Sequence, residues 1–249
     1  MASIKTAKSV LDTYPIMNWA FPRILVCFLL ERSISYADLV FPSIVQIAAQ
    51  GPVILNLPYM RTDLARNKAA MELLKTDFTH LLMLDIDHVH PHDIVQRLAR
   101  WVLADPKKFQ VVGGLNFRRS EPHDPCAYTW DVTDQSMWAV EWDKDTTLME
   151  VDRLGTGSIL ISREVFEKLL PPWFYNDYSQ VWRDSWPGED IGFSRLCKDN
   201  GVSMWVDCTT TSPHITPAAV DEGSWRRWVA ANPGALKEST KKMNEVVND

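Results

Sequence analysis

The stretch His80-Leu81-Leu82-Met83-Leu84-Asp85-Ile86-Asp87 is an apolar run of strand length that stops on two carboxylates flanking one residue. A strand covered on both faces has this continuous apolar character, as in parallel sheets. The aspartates then stand where the strand emerges at its carboxyl end, the edge at which open α/β sheets bind ligands. Two carboxylates there repel one another and lose water unless a cation neutralises them. Hard oxygen donors suit Mg²⁺ or Mn²⁺, which in turn bind diphosphates. An Asp-x-Asp alone is just as well a capping turn, so its strand-end context is what marks it as a metal site.

Similar runs lie on either side. Ile24–Leu30, Val53–Leu57 (closed by Pro58), His80–Leu84, Gln110–Leu115, Gly157–Ser162 and Ser203–Val206 are expected strands. Helical spacing covers Tyr36–Gln50, where Pro42 suits a first turn and places the start of the regular helix near it. Leu64–Lys75, with Asp63 as its cap, Ile94–Leu103, Glu164–Leu169 and Ile191–Asn200 follow. Strands alternating with helices predict an α/β fold, a mostly parallel central sheet with helices on both faces. Between Asn116 and Asp152 the periodicity fades and aromatics accumulate, predicting loops and short strands over the sheet edge. The expected organisation is an extension over 1–22, a body over 23–216 and a polar, partly helical tail over 217–249.

Composition sets the outer bounds. Of 249 residues 46% are apolar and 23% charged, enough for a sizeable core, and the net charge of −6 gives no sign of a nucleic-acid or anionic-membrane binder. The longest apolar stretch, Ile24–Leu30, is far short of the ~20 residues that span a bilayer. With no signal-peptide pattern at the amino terminus, the expected setting is soluble and cytoplasmic. Four scattered cysteines form no Cys-x-x-Cys pair, so neither a structural zinc site nor a disulfide framework is indicated. The eleven tryptophans serve either as core or as flat apolar platforms of the kind sugar-handling clefts use.

Two other chemistries use the same aspartates. Phosphatases of the haloacid dehalogenase type place a nucleophilic Asp in an Asp-x-Asp, but after the first strand and before a hydroxyl residue. Here the pair follows the third strand, and His88-Val89 come next. His88, His90 and His92 bring zinc hydrolases to mind, yet the order His-Val-His-Pro-His-Asp is not the His-x-His-x-Asp-His of that chemistry.

A second acidic element, Gly188-Glu189-Asp190, opens a helix where acidic side chains meet the favourable end of its dipole. A glycine stop, a short strand and an isolated His214 follow. Taken with Asp63–Asn67, Asp85-Ile86-Asp87 and Gly155–Ser162 (GTGSILIS), these residues resemble the GT-A glycosyltransferases, in particular the family-2-like, metal-dependent branch, over Ile24 to His214. The resemblance implies a nucleoside-diphosphate-sugar donor, Mn²⁺ or Mg²⁺ as cofactor, and an acceptor hydroxyl on a saccharide or, in a smaller group, on a hydroxymethylated DNA base. It implies that Glu31 or Arg32 lies near the nucleotide, that Arg66 approaches the donor's phosphate or sugar, and that Asp85 sits near ribose or metal. Asp87 and His214 would be metal ligands, Gly155 and Gly157 would let the backbone pass close to donor and acceptor, and Asp190 would be the catalytic base with Glu189 beside it. Arg118-Arg119 falls where acceptor loops lie. The alternative that stays open is a metal-dependent hydrolase of nucleotide-sugars or phosphoesters, with water as acceptor.

Overall fold

The structure, a computed structural model, describes residues 19–30, 37–51, 53–58, 60–119, 123–131, 133, 136–176, 188–216 and 222–231. The chain divides into two units, Met1–Ile215 and Thr216–Asp249. In the first, the strands are β1 (Ile24–Leu30), β2 (Val53–Pro58), β3 (His80–Asp85), β4 (Val111–Leu115), β5 (Ala127–Asp131), β6 (Ser136–Ala139), β7 (Leu148–Val151), β8 (Arg153–Leu154), β9 (Ser158–Ser162) and β10 (Met204–Thr211). Its helices are α1 (Ala37–Ala48), α2 (Thr62–Leu74), α3 (Ile94–Ala104), α4 (Arg163–Lys168) and α5 (Glu189–Asp199). The second unit holds α6 (Glu222–Ala231).

Seven strands form one sheet in the order β2-β1-β3-β9-β4-β10-β7, and β6-β5-β8 form a small antiparallel sheet. β1, β2, β3, β4 and β10 run one way, while β9 and β7 run against them. The main sheet is therefore mostly parallel. Alternate residues of β1 and β3 feed two opposed cores, as the period of a strand requires. Leu25, Cys27, Leu29, Leu81 and Met83 pack with α2, α4 and α5, whereas Ile24, Val26, Phe28, Leu82 and Leu84 pack with α1 and α3. Each such fully buried side chain contributes about 1.5–3 kcal/mol of burial. α2 turns Ala65, Ala69, Ala70 and Leu73 to the sheet, so it lies close against β1 and β3.

Three local expectations are corrected. α1 starts at Ala37, ahead of Pro42, because Val40, Ser43 and Ile47 bury one face of the helix and that packing carries it through the proline. α2 starts at Thr62, so Asp63 lies inside the first turn and takes a hydrogen bond from Arg61 Nε at 2.7 Å instead of capping. β10 runs on to Thr211, well beyond Val206, with its register to β4 shifting between Asp207 and Thr211. Asp207, fully buried, accepts from Arg100 Nη2 at 2.7 Å, Trp101 Nε1 at 2.9 Å and Thr210 Oγ1 at 3.0 Å, and so pins that irregular end.

Candidate functional site

The parallel strands all deliver their carboxyl ends to one edge, and the antiparallel β9 begins there. Leu29 ends near this edge on β1, Asp85 closes β3, Asn116 to Arg119 follow β4, and Pro213-His214 follow β10. The first two turns of α2 and the first turn of α5 bring Thr62, Arg66 and Glu189 to the same place. A cavity of about 210 Å³ opens among Leu29, Thr62, Arg66, Asp85, Ile86, Asp87, Arg119, Glu189 and His214.

Arg66 organises its floor. The side chain is 2% exposed, and Nη2 donates to both oxygens of Asp85 at 2.9 Å. Nε donates to Glu189 Oε1 at 3.2 Å and Nη1 to the carbonyl of Thr156 at 3.2 Å. Burial disfavours the charge of this guanidinium, but Asp85 and Glu189 outweigh that and hold its pKa above the usual value. One buried cation thereby ties the end of β3 to the start of α5, two points far apart in sequence.

The wall beside it is built from two backbone segments that pair with each other. Ile215 N donates to Asp87 O at 2.8 Å and Val89 N to Pro213 O at 3.0 Å, which brings His88 opposite His214. Their rings stack with centroids 4.0 Å apart. His214 Nε2 lies 3.4 Å from Asp87 Oδ2. His214 Nδ1 donates to the carbonyl of Phe117 at 2.9 Å, so its Nε2 carries the lone pair. His88 Nδ1 donates to Asp87 Oδ1 at 2.8 Å. Burial pushes His88 down to about 4 and lowers His214, so both rings are neutral at pH 7.

Asp87, His88 and His214 each offer a ligand atom within 4.8 Å of the others. A lone pair and a carboxylate oxygen at 3.4 Å need a positive charge between them. Here Arg119 supplies it: its Nε donates to His214 Nε2 at 2.6 Å and its Nη2 pairs with Asp87. A carboxylate and two imidazoles form a donor set that a divalent cation can use.

The predicted residues thus sort themselves by position. Arg66, Asp85, Asp87, Glu189 and His214 line one cavity. Asp85 gives both its oxygens to Arg66, so the cluster able to hold a metal contains His88 in its place. Asp190 lies outside the lining; it accepts from Ile191 N at 2.8 Å, and burial together with the charge of Glu189 raises it to about 6. Burial and then the charge of Asp190 push the Cys126 thiol up to about 12. A Cβ at Gly155 would meet that of Cys126 at 2.5 Å, and one at Gly157 would meet the His88 ring at 2.9 Å; both glycines make room for protein neighbours. Glu31 and Arg32 lie outside the described residues.

The histidine run also divides. His90 Nε2 donates to the carbonyl of Asp85 at 2.8 Å and its Nδ1 meets Ser212 Oγ at 3.0 Å, so this buried ring cross-links β3 to the end of β10. His92 is exposed. Arg119 is the lining residue that the strand-and-motif pattern did not assign to the metal cluster; its neighbour Arg118 pairs with Asp124 at 3.4 Å.

No protein family matches the chain, and no curated protein does. Among solved structures it is similar to A197 from STIV, at 20% identity and a TM-score of 0.56, over 78% of this chain and 86% of that one. It is also similar to GalNAc-T7, solved with UDP, GalNAc and Mn²⁺, at 13% identity and a TM-score of 0.50. That likeness covers 80% of this chain but 45% of GalNAc-T7. Likeness at these identities is one of fold: a Rossmann-like, mixed α/β sheet of the GT-A type. Among the described residues no helix is long and apolar enough to cross a membrane.

Proposed function

We propose that this chain is a divalent-metal-dependent glycosyltransferase, moving a sugar from a nucleoside-diphosphate-sugar to an acceptor hydroxyl. What carries the proposal is the approach of His214 Nε2 to Asp87 Oδ2, 3.4 Å apart, at the ligand-binding edge of a GT-A-type sheet. Asp87 and His214 would hold the cation, with His88 fixing the Asp87 carboxylate through its Nδ1–H. The cation, when bound, neutralises the charge of the departing diphosphate as a Lewis acid. That GalNAc-T7 binds UDP and Mn²⁺ on a similar fold supports the donor class.

The chain's own residues account for the rest. Arg66 pairs with both Asp85 and Glu189 and so joins the end of β3 to the first turn of α5. Asp190, raised to about 6, is mostly ionised at pH 7, as a base must be, and would take the acceptor's proton. Glu189, already in the cavity, would orient the acceptor.

The test is turnover of a nucleotide-sugar panel with Mn²⁺, with and without saccharide acceptors, following nucleoside diphosphate and free sugar separately. A transferase releases nucleotide rapidly only with acceptor, and Asp87→Ala stops it. Equal turnover in water alone would make the protein a nucleotide-sugar hydrolase, and metal-independent turnover would refute both.

A further inference from the structure

Arg119 lies in the segment that follows β4, with its side chain 48% exposed, yet its guanidinium reaches inward to the metal cluster. Arg118, next to it, turns away to Asp124. The two adjacent cations therefore do different jobs. The fork of Arg119 spans the two atoms a metal would use: Nε meets the lone pair of His214 Nε2 at 2.6 Å, and Nη2 pairs with Asp87 Oδ2. Those two acceptor atoms lie 3.4 Å from each other with no proton of their own to share, since His214 spends its Nδ1–H on Phe117. Some cation must stand there for the geometry to hold, and the planar five-donor guanidinium matches two acceptors side by side.

We propose that Arg119 is the resident counter-ion of the Asp87–His214 pair and sets its metal affinity, because a dication can bind only by displacing it. This deepens the glycosyltransferase proposal and rests on it for the identity of the site. The displaced side chain costs little to free: it is half exposed and reaches water without desolvation on either side. It also remains on the cavity wall, where its charge faces the diphosphate that the metal would accompany. Arg119 would then favour metal binding together with nucleotide over metal binding alone. The contact replaced is a pair of charge-assisted hydrogen bonds at a half-exposed position, so removing it should tighten metal binding on the order of fivefold.

The experiment titrates the intact protein with Mn²⁺ alone and reads free Mn²⁺ by its EPR signal, comparing wild type, Arg119→Gln, Arg119→Lys and Asp87→Ala. Arg119→Gln is expected to bind Mn²⁺ roughly fivefold more tightly than wild type, and Arg119→Lys to fall between them, since a point charge competes without the fork. Addition of a nucleoside diphosphate should narrow or reverse the gap, because only wild type then gains a contact to phosphate. Circular dichroism in EDTA confirms that each variant is folded. Equal or weaker Mn²⁺ binding by Arg119→Gln, with Asp87-dependent binding intact in wild type, overturns the counter-ion role and leaves the glycosyltransferase proposal standing. Absence of Asp87-dependent binding in every protein, with or without nucleotide, overturns both.

Discussion

Replacing Arg66 by Met keeps most of the side-chain volume and deletes the charge, which makes it the sharpest probe of how the site is built. The guanidinium is 2% exposed, while its partners Asp85 and Glu189 are 23% and 20% exposed. Removing one member of a buried ion cluster typically costs about 3–5 kcal/mol, because the remaining charges are left without a partner. The partial access of water to both carboxylates places this case at the lower end, about 3 kcal/mol. For a body of this size that lowers the melting temperature by roughly 6–12 °C. The assay is urea and thermal unfolding of Arg66→Met beside the triple variant Arg66→Met/Asp85→Asn/Glu189→Gln. If stranded charge is the cause, neutralising both carboxylates restores about half of the loss, or about 1–2 kcal/mol. A loss below about 1 kcal/mol, or a triple variant less stable than Arg66→Met, would refute the clamp.

Other expectations concern single sites. Asp190 is raised from 3.8 to about 6, and a base works only when ionised, so the transfer rate should climb with pH through about 6 and level off above it; Asp190→Asn should abolish that limb, and a rate flat from pH 5 to 8 would exclude Asp190 as base. Gly157→Ala drives a methyl to 2.9 Å from a His88 ring already stacked on His214; overpacking should cost about 1–3 kcal/mol in unfolding assays and weaken Mn²⁺ binding. Gly201→Ala is the control, since nothing lies within 4 Å but φ is +64°: a loss of about 1 kcal/mol is expected, with Mn²⁺ affinity unchanged. Asp207→Asn, at a fully buried carboxylate holding Arg100 and Trp101, should destabilise by about 3 kcal/mol in urea while the folded fraction binds Mn²⁺ as wild type does.

Much of this architecture was legible because a buried strand and an amphipathic helix leave different periods in the chain. β1, β3 and β4 stand within a residue of their apolar runs, and the fold class follows from their alternation with helices. Strand direction leaves no such mark: Gly157–Ser162 looks like any buried strand, and only tertiary pairing shows that β9 runs against β3 and β4. β7 and β8 lie in a stretch where polar and aromatic residues blur the period, and β7 joins the main sheet through pairing with β10.

At the site, the approach of His214 to Asp87 depends on backbone pairing between Asp87–Val89 and Pro213–Ile215, a contact across more than a hundred residues that local pattern does not encode. The Asp-x-Asp spacing was visible, but the division of labour within it was not. Asp85 still belongs to β3 and turns to buried Arg66, whereas Asp87 lies in the turn beyond the strand and meets the histidines. Arg118 and Arg119 likewise part company, and His88 and His90 end in different surroundings, in segments outside the regular strands.

The most direct test loads the protein with Mn²⁺ and records pulsed EPR for coupling to imidazole nitrogen, in wild type and in His214→Ala. A cation gripped by Asp87 and His214 predicts a histidine-nitrogen coupling in wild type that is lost in His214→Ala, and a phosphorus coupling when a nucleoside diphosphate is added. Mn²⁺ coupled to water protons alone, with the same spectrum from both proteins, would contradict the account at its root.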